Sequence, residues 1–156
     1  MKKINWCKSQ EKGIKLIEPN DNVSQEYFRN AEDSLNVLRS IKETKSNMWL
    51  ATTKYYIEYF AIYSLLMKIG IKCEIHDCTI VLAEFLEKEG IIGKGVSKTL
   101  ERDKELRIDN QYYLKNIHVN INFEGLSDFI ISIKRILDKI TREEIDKIRK
   151  KIRDIE

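Results

Sequence analysis

At 156 residues the chain fits one domain and is long enough to bury a sizeable core. Hydrophobic residues at 42% and charged residues at 34% exclude a disordered polymer, and one proline with six glycines excludes the many tight turns of an all-β sandwich. The net charge of +3, from 28 basic and 25 acidic residues, excludes the dense basic face of a strong duplex binder while permitting an acidic partner.

Residues 1–22 read as an N-terminal extension. Lys2 and Lys3 lead into a stretch too polar for the apolar core of a signal peptide. The apolar set Ile4, Trp6, Ile14, Leu16 and Ile17 has no clean helical period, and Pro19, Asn20, Asp21 and Asn22 close the segment with turn chemistry. The extension is expected to pack on the remainder through Trp6.

A bundle then spans residues 23–140. Its first helix begins near Val23 or Ser24, with Ser24 a candidate cap, and Phe28, Ala31, Leu35, Leu38 and Ile41 recur on one face. The pattern stops around 44–47, where Ser46 or Asn47 can cap the next helix. That second helix, residues 48–69, is apolar on nearly all sides, so it belongs at the centre of a bundle or in a subunit interface. Its longest apolar region, residues 55–67, is interrupted by Glu58 and is too short to span a bilayer. Gly70 stands where a left-handed C-cap residue belongs.

A third helix is expected over 75–89, with Ile75, Cys78, Thr79, Leu82 and Leu86 inward and Gly90 ending it. A fourth covers 96–109, carrying Val96, Leu100 and Leu106 among many charges. From 110 to 124 the helical pattern lapses. Ile117, Val119, Ile121 and Phe123 alternate there, which leaves an extended loop or a short strand open. Gly125 and Ser127 open the fifth helix, with Leu126, Ile130, Ile133, Leu137 and Ile140 as a narrow stripe. Thr141 and Glu144 have capping-box spacing, so residues 141–156 form a C-terminal amphipathic helix or a bent continuation. The expected fold is all-α, an up-and-down bundle of about five helices.

The three cysteines, Cys7, Cys73 and Cys78, are an odd number without paired spacing, which suits reduced thiols in a cytoplasmic protein. The run "CEIHDC" does not build a metal site. On a helix Cys73, His76 and Cys78 spread over different faces, and a fourth ligand is missing. No cofactor or metal is expected.

The stretch "RIDNQYYL", residues 107–114, is the most unusual in the chain. Arg107 can clamp a phosphate in bidentate fashion, or serve as a helix-end cation paired with Asp103. Tyr112 and Tyr113 can stack on a base, or bury their rings at a loop start. Tyr55, Tyr56 and Tyr59 belong to the core or to a dimer seam. His76 sits at a helix start, where its ring can hydrogen-bond across to the second helix; His118 reads as a loop residue. The basic C-terminal "KIRKKIRDIE" reads as a solvated face over an isoleucine stripe, with a partner helix as the alternative.

Three of these stretches together resemble the HEPN domain family, in its stand-alone archaeal and bacterial branch. They are "YFRNAEDSLNVLRS", "TTKYYIEYFAIYSLLMKIGIKCEIHDCTIVLAEFLEKEGII" and "LRIDNQYY". Tyr55, Tyr56, Ala61, Gly70, Ile71, His76 and Gly90 fall in step with the family pattern, and the likeness covers about residues 25–140. Lys54 stands where many relatives carry an arginine, and Phe60 where several carry a histidine. The resemblance implies a homodimer with a groove lined by the tyrosine-rich helix and the arginine segment, binding a nucleotide or RNA. It also implies a nucleotidyltransferase partner, as in toxin–antitoxin pairs; no membrane partner is expected, because the longest apolar region is too short.

Nuclease members of that family carry an arginine followed, after four to six intervening residues, by a histidine. Here those positions after Arg107 hold Tyr112, Tyr113 and Leu114, and after Arg102 they hold Arg107, Ile108 and Asp109. No catalytic residue is therefore assigned. The expected contact comprises Arg107, Tyr112, Tyr55, Tyr56, His76 and Lys54. A protein-interaction module without nucleic acid is the alternative, and a metal-independent ribonuclease with an atypical site is a further one.

Overall fold

Short-range capping sets where the helices begin, as seen in the computed structural model, which describes residues 2–155. Asn20, in an extended conformation, accepts from the Val23 N–H at 3.0 Å and starts α2 (Asp21–Ile41). Ser24 therefore lies inside the helix instead of capping it, and its buried hydroxyl donates to the Ser64 carbonyl at 2.7 Å. A single 3₁₀ turn, Lys42–Thr44, leads to α3 (Asn47–Ile69), which Ser46 caps. So short a connection makes α2 and α3 neighbours, and α3 also touches α5 (Val96–Gln111), α6 (Phe123–Lys139), α7 (Arg142–Asp154) and the small ribbon described next. Ile57, Ile62, Leu65, Leu66 and Ile69 of α3 are wholly buried, as its all-round apolar character requires.

The end of α3 is held from three directions. Gly70 is left-handed at φ 83°, and its N–H reaches the Leu66 and Met67 carbonyls. A Cβ at this position would sit 2.5 Å from the Ile17 carbonyl oxygen, so only glycine fits. The next residues form β2 (Ile71–Lys72), antiparallel to β1 (Lys15–Leu16) with Leu16 opposite Ile71. From the far end of the chain, Arg149 donates to the carbonyls of Ile17, Ile69 and Gly70 at 2.7, 3.1 and 2.7 Å. One guanidinium thus supplies donors to the ribbon and to a helix end whose carbonyls lack intrahelical partners.

The N-terminal segment differs from expectation in two ways. Residues Lys2–Ser9 form a helix, α1, lying on α4 (His76–Lys88), but Trp6 is 54% exposed; Ile4 and Cys7 face the core instead. Cys7 is bonded to Cys78, with Cα atoms 5.7 Å apart, so the expectation of three reduced thiols is overturned and Cys73 alone is free. The pairing joins positions 71 residues apart, a proximity that only the fold creates. The case for a reducing compartment, which rested on unpaired cysteines, falls with it.

The remaining helices follow the expected order: α4 (His76–Lys88), α5 (Val96–Gln111), α6 (Phe123–Lys139) and α7 (Arg142–Asp154). The five expected bundle helices are α2 to α6, and α7 is a separate helix with the Thr141–Glu144 capping box in place. Helix α6 starts earlier than Gly125, because Asn122 accepts from the Gly125 N–H. Between α5 and α6 no strand forms among the described residues. Instead the buried Asn110 side chain bonds the Leu106 and Ile117 carbonyls and takes the Ile117 N–H, folding the loop back onto its own helix. No helix among the described residues is long and apolar enough to cross a membrane.

Candidate functional site

Helical spacing on α3 puts Tyr55 and Tyr59 on one face and Tyr56 a step around it. The first residue of α4, His76, lies flat on Tyr59, with ring centroids 4.4 Å apart and planes 10° from parallel. Its Nδ1 is 2.7 Å from the Tyr55 hydroxyl. From α5, the Arg107 guanidinium lies over the rings of Tyr55 and Tyr56 at 4.9 and 5.5 Å, and one of its terminal nitrogens donates to the Tyr56 hydroxyl at 3.3 Å. The Arg107 Nε is buried and meets no acceptor. Three helices therefore bring together Arg107, Tyr55, Tyr56 and His76, four of the six expected contact residues.

Burial raises the Tyr55 phenol well above its ordinary range, with Arg107 only partly opposing it, so the hydroxyl keeps its proton. His76 is shifted the other way, first by burial and then by the charges of Arg107 and Lys104 against the pull of Asp77. A neutral His76 that accepts the Tyr55 hydroxyl at Nδ1 carries its own proton on Nε2. Lys104, one helical turn before Arg107, pairs with Asp77, the residue after His76. The corner is thus half-buried and cationic, with aromatic walls and a polar imidazole.

Lys54, although adjacent to Tyr55 in sequence, belongs elsewhere. Its ammonium donates to Asp103 at 2.7 Å, and Arg102 donates to the other oxygen of that carboxylate at 3.1 Å. Asp103, with its side chain only 2% exposed, is therefore occupied by these two cations, and Arg107 pairs with the tyrosines instead. Burial would raise the Asp103 acid, but hydrogen bonds from Glu58 and Lys54 hold it below the usual range. Glu58 beside it is 6% exposed and is pushed well above the carboxylate range by burial and by the Asp103 charge.

Tyr112 and Tyr113, at the end of α5, are 64% and 68% exposed, and neither ring takes part in the Arg107 cluster. The Tyr112 N–H caps the helix through the Ile108 carbonyl, and Lys115 lies over the Tyr113 ring at 5.7 Å. His118 is in the loop, its Nε2 3.1 Å from Asn120. Among the described residues no group of three histidine, cysteine, aspartate or glutamate side chains gathers to hold a metal ion.

Sequence reasoning missed Lys104, Asp77 and the Glu58–Asp103 pair. Lys104 was within reach of it, since a residue three before Arg107 shares its helix face. Asp103 and Glu58 lie on different helices, and nothing in their spacing announces that they meet. Comparison of the sequence with protein-family models gives no match, and comparison with curated proteins gives none either.

Proposed function

We propose that the chain is a HEPN-like helical module, acting as a dimer, that binds a nucleotide or RNA through phosphate contacts at the Arg107 corner. The observation that carries this reading is a guanidinium stacked on two tyrosines, with a buried Nε–H that has no acceptor. Buried cations are ordinarily matched with carboxylates. Both nearby candidates are committed, Asp77 to Lys104 and Asp103 to Lys54, so Arg107 is left to an anion from outside. A phosphate suits the planar fork of donors, and a base would stack on the half-buried ring of Tyr56.

The test is fluorescence anisotropy with an end-labelled ten-nucleotide oligouridylate and, in parallel, competition by ADP. Binding should weaken with salt, and Arg107→Ala should reduce affinity about tenfold while Lys54→Ala has little effect. Equal binding by wild type and Arg107→Ala sinks the proposal and favours the protein-interaction reading. Sedimentation equilibrium tests the dimer separately.

A ribonuclease reading draws on one further observation. His76 and Arg107 meet in space although they lack the expected sequence spacing, so a proton-transfer group and a cation share one corner. In the other neutral tautomer, Nδ1–H donates to the Tyr55 oxygen and leaves Nε2 free to take a 2′-hydroxyl proton. RNA cleavage that co-purifies with the protein and is lost in both His76→Ala and Arg107→Ala is the expected result. Cleavage that persists in either variant excludes this chemistry.

A further inference from the structure

Positions 54, 58 and 62 of α3 line up at intervals of four, on a stripe next to the one that carries Tyr55 and Tyr59. They form one wall of a cavity of about 460 Å³ closed by the start of α5 and by α6. We infer that this cavity is a second ligand site, built for a small organic anion with an apolar body that carries a hydroxyl or amine donor.

Three features on its walls define that ligand. The floor is apolar, from Ile62, Leu126 and Phe129, and the volume falls in the range of small-molecule sites. The walls also carry Lys54, Lys94 and Arg102. Against these three cations stand two carboxyls, Asp103, which Lys54 and Arg102 share, and Glu58. The surplus of positive charge calls for an anionic group at the mouth. Third, Glu58 lines the cavity, is more than nine-tenths buried, and its Oε2 receives no nitrogen or hydroxyl donor from the protein. A buried carboxyl oxygen without a donor is costly, and a hydroxyl or amine on the ligand body would satisfy it. The site is independent of the Arg107 corner, since Arg107 takes no part in its walls.

The experiment uses 6-hydroxy-2-naphthoate as probe, followed by amide chemical shifts and calorimetry on the full chain. Shifts are expected at Gly95, Thr99, Gly125 and Leu126. The double variant Lys94→Ala/Arg102→Ala, whose two side chains lie on the surface, should bind about tenfold more weakly. 2-Naphthoate, which lacks the hydroxyl, should bind wild type less tightly than the probe, and Glu58→Gln should shrink that difference. Arg107→Ala should leave all of this unchanged. The proposal is overturned by an absence of shifts at millimolar probe, by shifts centred on residues 76 and 107, or by a neutral methyl ester binding as tightly as the acid.

Discussion

Lys54 and Tyr55 are neighbours in α3, yet they open two faces that treat charge in opposite ways. On the Lys54 face, cations meet acids: Asp103 takes both Lys54 and Arg102, and Glu58 lies buried beside them. On the Tyr55 face, Arg107 is supported by aromatic rings and one phenol, with no carboxylate of its own. A charge balanced inside the protein serves the fold, because removing its partner leaves a buried ion. A charge supported only by π-faces costs less to hold and remains available to an outside anion. The comparison therefore separates cations held by a carboxylate from a cation held by aromatic rings.

The largest effect should come from breaking the closed face. Asp103→Ala strands Lys54 without its counter-ion in a half-buried position, and about 3 kcal/mol of stability should be lost in urea unfolding. Arg107→Ala, removing a cation that is not balanced by a carboxylate, should cost no more than about 1 kcal/mol. If the two variants lose similar stability, the distinction between the faces fails.

The next effect is a pH dependence confined to the same cluster. Glu58 has its folded value raised above the unfolded one, so between the two the folded chain binds the extra proton. Stability should then decline as pH rises from the ordinary glutamate value of about 4.3 towards the raised one, by up to about 1.4 kcal/mol per pH unit. Asp103 works in the opposite sense: its lowered value adds stability above the ordinary aspartate range, which is lost as pH falls through the folded value. Above pH 5 the Glu58 contribution dominates, and Glu58→Gln should flatten the slope. A slope that persists in Glu58→Gln assigns the dependence to another group. Smaller still, Tyr55→Phe deletes one hydrogen bond to His76 while keeping the ring under Arg107, and should cost about 1 kcal/mol.

What could be read in advance followed the range of the interactions. Ser46, Gly70 and the Thr141–Glu144 box act within one helical turn, and each stands where its local pattern places it. The N-terminal segment failed the same reading because α1 has only two turns and buries only Ile4 and Cys7, too few positions to show a period. Its anchors are remote: a ribbon strand at Ile71 and a disulfide partner at Cys78. Alternation over 117–123 suggested a strand, but among the described residues no strand pairs with it, and the Asn110 side chain bonds the loop at Ile117 instead. At the site, Tyr55, Tyr56, His76 and Arg107 come together from three helices, whereas Tyr112 follows a helix end that turns its ring outward.

The finest distinction between the faces can be read from one imidazole. His76 is depressed first by burial and next by Arg107 and Lys104, with Asp77 alone opposing. Arg107→Ala removes a positive charge and lets water into the corner, and both changes favour the imidazolium. The His76 titration, followed through its carbon-bound ring protons, should therefore move up towards the ordinary value of about 6.5. The stability consequence has a definite sign. A depressed histidine leaves the unfolded chain holding more protons below pH 6.5, so wild type loses stability on acidification through that window, and Arg107→Ala should lose less. Lys54→Ala changes a charge of the same sign one residue from Tyr55, but on the face where Asp103 already balances it. It should leave the His76 titration in place. If both variants move His76 equally, the two faces share one electrostatic environment, and Arg107 has no privileged hold on the imidazole.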